Sequence, residues 1–276
     1  PDVLVMTATP IPRTLALSLY GDMDISIIDE LPPGRKTIKT YHITENRKNE
    51  VYSLIRKEIK KGQQAYIICP LVDESDKLDL INATETARIL ATEVFPDYKV
   101  GLIHGQVKKE EKEIVMESFR KGELNILVAT TVVEVGVNIP NATVMVILNA
   151  ERFGLAQLHQ LRGRVGRGAL ESFCILVSNA KTQEARSRME IMTKSNDGFL
   201  IAEEDLLLRG PGDFFGIKQH GLPDLKIADL VKDIDVLEKT KILAEGILKN
   251  GWDKKEFLNL KKEVLKKFQR TNILKA

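Results

Sequence analysis

Short apolar runs alternate with amphipathic stretches through the first two thirds of the chain. Val3–Ala8, Ala65–Cys69, Val100–His104, Ile126–Ala129, Val144–Leu148 and Phe173–Val177 each read as a buried strand. Their apolar residues run on instead of alternating with polar ones, as in parallel sheets covered on both faces. Between them the apolar spacing becomes helical. Val51, Leu54, Ile55 and Ile59 form one stripe, with Gly62 where a C-terminal cap belongs. Ala87, Leu90, Ala91 and Val94 form the next, which Pro96 ends. Lys108–Lys121 carries Val115 and Phe119 on one side and stops at Gly122. Strand–helix alternation of this kind predicts βαβ units and a doubly wound α/β sheet.

The pattern changes near residue 180. Thr182–Leu208 reads as two helices interrupted around Ser195–Gly198, followed by a Gly/Pro-bearing loop over Arg209–Leu225. Lys226–Ala276 reads as helical throughout. At the other end, Val3–Ala8 has no earlier element to pair with, so residues 1–30 are expected to be the end of an upstream domain. Leu31–Lys36 then serves as connector.

Composition adds limits. The chain has 276 residues, 43% hydrophobic and 29% charged, which supports a real core and excludes wholesale disorder. Forty-one Lys/Arg against 39 Asp/Glu give a net charge of only +2, so bulk charge does not announce a nucleic-acid binder. Residues 241–276 are locally basic, ten Lys/Arg against four Asp/Glu, a pattern more often a solvated helix face than a phosphate site. Cys69 and Cys174 sit in apolar runs and read as buried thiols of a reducing compartment. The four histidines lack metal-ligand spacing, and no apolar run reaches the ~18 residues of a membrane span. A soluble cytoplasmic protein is expected.

The strongest chemical signal is Gln157–Gly168. Arg162, Arg164 and Arg167 fall within six residues, with Gly163 and Gly166 among them. Helix interiors avoid glycine at about 1 kcal/mol each. Guanidinium forks match phosphate oxygens, so the segment points to an anion approached closely by backbone. Thr130 follows a strand's carboxyl end, where doubly wound sheets place ligands. His104, Gly105 and Gln106 precede a helix and offer backbone amides. Asp29 and Glu30 imitate a metal-binding acidic pair, but no P-loop precedes them and Pro32 and Pro33 follow at once, so they are rejected as catalytic.

The spacing Gln160, Gly163, Arg164, Arg167 resembles motif VI of superfamily 2 helicases. Val128–Pro140 is similar to motif V, and Thr7–Thr14 to motif III. Asn196–Gly216, with Gln219 and Gly221–Leu225, resembles the RecG family of bacterial branch-migration helicases. The related transcription-repair coupling factor typically has Ala where Pro211 stands here. The resemblance implies a RecA-like second helicase motor lobe. The expected organisation is the end of the first lobe (1–30), the second lobe (31–180), a translocation hairpin and loop (181–225) and a helical extension (226–276).

The same resemblance implies the roles. Arg164 and Arg167 would act on the γ-phosphate of ATP, with Gln160 positioning the attacking water or an arginine. Gly136 and Asn138 would approach the nucleotide, Asn138 standing where many relatives have Asp. Thr130, His104, Gly105 and Gln106 would track the DNA backbone. Arg188, Arg209, Gln219, Thr7 and Thr9 would couple hydrolysis to translocation. Arg188 and Arg209 are expected to bond backbone carbonyls or the adjacent Glu203, Glu204 and Asp205. ATP and Mg2+ would be bound mainly by a first lobe, and the DNA partner would be a fork or Holliday junction. A monomer is expected, with the chain by itself inactive. Two alternatives stay open: the corresponding lobe of the coupling factor, and a non-enzymatic nucleic-acid-binding module.

Overall fold

A computed structural model describes residues 4, 6, 26–28, 30, 34, 36–70, 76–130, 139–214 and 233–270. The side chains of residues 76–80, 209–214, 234, 235, 237, 238, 250 and 267–270 lie outside that description. The chain divides into two compact units, residues 1–12 with 26–210, and residues 13–25 with 211–276.

The first unit is built on six parallel strands. They are β1 (Lys39–Ile43), β2 (Gln64–Ile68), β3 (Val100–Ile103), β4 (Ile126–Ala129), β5 (Ala142–Leu148) and β6 (Phe173–Val177). Their spatial order is β1-β6-β5-β2-β4-β3. The helices are α1 (Lys48–Ile59), α2 (Asp76–Ile89, extended by a π turn over Leu90–Val94), α3 (Lys109–Arg120), α4 (Leu155–Arg162), α5 (Gln183–Lys194) and α6 (Gly198–Phe214).

Alternate residues of each central strand feed opposite faces, so the sheet has two cores. Tyr66, Ile68, Leu127, Met145 and Leu176 meet Phe119 of α3, Leu158 and Leu161 of α4, and Met189 and Met192 of α5. Ala65, Ile67, Val128, Val146 and Ile175 meet Val51 and Ile55 of α1, Ala83 and Ala87 of α2, and Phe95. Burial on both faces is why these strands show as uninterrupted apolar runs. The sheet is therefore the expected doubly wound α/β lobe.

Two elements differ from expectation. β1 was not foreseen: Lys-Thr-Tyr-His-Ile has one aliphatic residue, and none of its five residues is fully buried. As an edge strand paired only with β6, it keeps one side toward solvent and tolerates polar residues. The loop expected over Arg209–Leu225 is helical in its first part, because α6 continues through Gly210, Pro211 and Gly212 to Phe214, and its remainder lies outside the described residues. Packing of Ile201 and Leu206 holds the preceding turns, and tertiary burial outweighs local helix propensity.

In the second unit, α7 (Ile234–Gly251) is followed by a 3-10 turn (Lys255–Phe257) and α8 (Leu258–Arg270). Lys249, Lys254, Lys255, Lys262 and Lys266 are all exposed.

Candidate functional site

The carboxyl ends of β3 and β4 lie side by side, because Ile103 is registered with Ala129. The next residue on each strand is a predicted site residue, His104 and Thr130. The Thr130 amide donates to the Ile103 carbonyl at 3.2 Å, which holds the two ends together. Thr130 is 1% exposed, yet its Oγ1 has no hydrogen-bond partner among the described residues, and neither has buried Nδ1 of His104. Buried polar atoms left unpaired cost about 1–3 kcal/mol each, so a molecule that bonded these two would recover part of that cost. Burial, and secondarily the charge of Lys112, lowers the imidazole pKa below its usual 6.5.

Gly105 and Gln106 form the exposed turn that follows, and Lys112 Nζ donates to the Gly105 carbonyl at 3.3 Å. Nothing lies within 4 Å of where a Gly105 Cβ would be, so this turn is open to an approaching backbone. The first turn of α3 carries Glu110 and Glu111, which occupy the positive end of the helix dipole. The turn, not the helix end, is therefore the part open to an anion.

The arginine cluster is split. Val165 is buried and pulls the segment after α4 inward. Gly166 adopts φ +69°, and a Cβ there would meet Ile38 Cγ1 at 2.7 Å, so only glycine fits this approach. The turn this forces sends Arg164 and Arg167 to one neighbourhood. Both charges are felt by Tyr66 of β2, whose phenol burial pushes up to about 12 while the two arginines pull the other way. Burial, then the like charge of Arg167, lowers the pKa of Arg164. Arg167 Nε donates to the Gly163 carbonyl at 3.1 Å, anchoring the root of its guanidinium. Two half-buried cations held close repel each other, and an anion between them relieves that cost.

Arg162 does something else. Its side chain is 2% exposed and points into the protein, toward Met192, Ser195 and Thr40. The reading of three anion-directed arginines is therefore corrected to two. Gln160 is exposed on the last turn of α4, and Gln157 Oε1 accepts the Gly154 amide at 3.2 Å to cap that helix.

On α5, whose start is capped by Thr182 Oγ1 accepting the Ala185 amide at 3.2 Å, Arg188 Nη2 donates to the Glu151 carbonyl at 3.0 Å. Its ion pair is with Glu184, at 3.5 Å. The carbonyl is one of the two kinds of partner expected, and the acid Arg188 pairs with is Glu184. Glu203, Glu204 and Asp205 belong to the next helix, whereas Glu184 lies one turn back on the same face. Thr7, Thr9, Gly136, Asn138, Gln219 and the side chain of Arg209 lie outside the described residues.

Tyr66 was missed, and Arg162 was given the wrong direction. A lone tyrosine among Ala65, Ile67 and Ile68 was a usable signal for the first. Nothing local separates Arg162 from its neighbours, because its partners are 30 and 33 residues away. The Arg164–Arg167 pair fits the charge of a triphosphate. Among the described residues no group of three His, Cys, Asp or Glu is placed to hold a metal ion.

Residues 46–169 match the family model of the helicase conserved C-terminal domain. Residues 195–276 match that of ATP-dependent DNA helicase RecG, domain 3, C-terminal. The chain is 52% identical to the ATP-dependent DNA helicase RecG of Bacillus subtilis, over 96% of the chain and 39% of that protein. It is 55% identical to that of Thermotoga maritima, over 86% of the chain and 30% of the relative. A solved structure of RecG bound to a three-way DNA junction superposes with a TM-score of 0.68 at 51% identity, covering 86% of this chain and 30% of that one. The chain thus spans between 30% and 39% of the length of these relatives.

Proposed function

Because the chain belongs to the RecG family of ATP-dependent DNA helicases, we propose that it serves as the second motor lobe of a double-stranded DNA translocase that remodels stalled forks and Holliday junctions in recombination and repair. The observation that carries this reading is the convergence of Arg164 and Arg167 beside Tyr66. ATP and Mg2+ supply the phosphoryl chemistry when bound, mainly by a first RecA-like lobe contributed by the remainder of the protein.

In this reading Arg164 and Arg167 reach across to the γ-phosphate and stabilise charge that develops as the phosphoryl group transfers. Gln160, exposed on the last turn of α4, orients the attacking water or an arginine. Thr130 Oγ1 and His104 Nδ1 contact the DNA backbone, which satisfies two of the buried atoms the fold leaves unpaired. Gly136 and Asn138 approach the nucleotide, while Gly105 and Gln106 line the DNA track. Arg188 fixes the hairpin to the lobe, with Arg209, Gln219, Thr7 and Thr9 completing the coupling path. The protein works in the cytoplasm, as a monomer. Identity along nearly the whole chain to proteins named RecG favours this reading over the transcription-repair coupling factor.

The test has two arms. The complete protein should displace a strand from a forked duplex only with hydrolysable ATP. The pure 276-residue chain should hydrolyse none, with or without DNA. DNA-stimulated turnover by that chain would overturn the assignment of the site to one half of a two-lobe cleft.

A further inference from the structure

Among the described residues Arg162 heads the fully buried side chains in size, and it is a cation. Its Nη1 donates to the carbonyls of Met192 at 2.9 Å and Ser195 at 2.7 Å, and to Thr40 Oγ1 at 3.4 Å. Its Nη2 lies 3.1 Å from His159 Nδ1. None of these partners is a carboxylate. What replaces one is the carboxyl end of α5. The Ile191 carbonyl already accepts the Ser195 amide, so Met192 and Ser195 offer oxygens that the last turn leaves over. The end of a helix carries partial negative charge, and Arg162 is the cation that meets it.

This cap comes from another part of the fold. Arg162 ends α4 and stands two residues before Arg164. Thus the loop bearing the two anion-directed arginines and the turn joining α5 to α6 are held by one side chain. Arg188 returns a tie in the opposite direction, from α5 to the Glu151 carbonyl just past β5. A packing role alone would be filled by an aliphatic residue at lower desolvation cost. Nη1 meets the two carbonyls while Nη2 reaches His159 Nδ1, so the planar fork serves the α5 end and α4 at once, which lysine's single nitrogen does not.

We infer that Arg162 is a positioning residue that couples the Arg164–Arg167 loop to the hairpin of α5 and α6, so that a change at the nucleotide is delivered to the translocating element. This rests on the proposed function above. It is tested in the complete helicase with Arg162→Gln and Arg162→Lys. The readouts are DNA-stimulated ATP turnover, unwinding of a forked duplex, and amide exchange over residues 192–201 with and without a non-hydrolysable ATP analogue.

Turnover by Arg162→Gln should stay within about threefold of the unsubstituted protein while unwinding per ATP falls roughly tenfold. Arg162→Lys should recover part of that ratio. The analogue should alter exchange over 192–201 in the unsubstituted protein and leave it unaltered in Arg162→Gln. Parallel loss of turnover and unwinding, an unchanged ratio, or no effect of the analogue on the unsubstituted protein overturns the inference. Should Arg162→Gln not fold, Arg162→Lys decides by the same ratio, expected below that of the unsubstituted protein. An unsubstituted protein that neither hydrolyses ATP nor unwinds defeats the proposed function itself, which is a distinct result.

Discussion

A Cβ on Gly166 would lie 2.7 Å from Cγ1 and 3.1 Å from Cδ1 of Ile38, a buried residue just before β1. With φ at +69°, the position rejects any other residue twice, once by backbone preference and once by space. Gly166→Ala should destabilise the lobe by about 2–3 kcal/mol, combining left-handed strain with overpacking. Thermal unfolding should fall by roughly 4–10 °C. Ile38→Val in the same chain should recover little, since it removes only Cδ1 and leaves both the 2.7 Å contact with Cγ1 and the backbone strain. A shift below about 1 °C for Gly166→Ala would show that the backbone rearranges freely here.

Arg167→Ala in the complete protein should lower DNA-stimulated ATP turnover by about a thousandfold or more, the range of an arginine that acts only in the transition state. Nucleotide binding should change by no more than about threefold. Equal loss of binding and turnover would assign Arg167 to holding the Gly163 turn, which its 3.1 Å bond also permits.

His104 should titrate below 6.5 in the free chain, because burial disfavours its charged form and Lys112 adds repulsion. The unfolded chain, with its histidine near 6.5, then binds more protons than the folded one below that pH. The stability this contributes is complete above 6.5 and is lost as pH falls from there through the folded value. Lys112→Ala should raise the His104 pKa only partway, since burial is the larger cause. Bound duplex DNA should raise it, because a phosphate near Nδ1 favours the cation. The imidazole proton resonance followed against pH checks all three statements, and a DNA-induced decrease would remove His104 from the DNA track.

Burial raises the thiol pKa of Cys69 to about 11 and of Cys174 to about 12. At pH 8 both are protonated and enclosed, so iodoacetamide should label neither until denaturant opens the sheet. Both should then react together, since they sit in the two cores of one sheet. Labelling of Cys174 under native conditions would contradict its complete enclosure.

Much of the lobe was legible because burial on both faces leaves an unmistakable record, as in Ala65–Cys69 and Ile126–Ala129. Lys39–Ile43 left none, because an edge strand needs no apolar run. The end of α6 was misplaced for the opposite reason: Gly210, Pro211 and Gly212 argue locally for a loop, and packing elsewhere on the helix carries it to Phe214.

Within the Arg162–Arg167 segment the division is sharpest. By itself the sequence determined which residue types were available: forked cations, glycines for close approach, and a strand end carrying Thr130. Only the tertiary structure decided their directions. Arg162 turns inward because the end of α5 arrives at its side with unpaired carbonyls. Arg164 and Arg167 share the electrostatic neighbourhood of Tyr66, on a segment that Gly166 bends against Ile38. A guanidinium carries the same charge wherever it points, so its partner is set by what the fold brings within hydrogen-bonding reach, and that information lies tens of residues away.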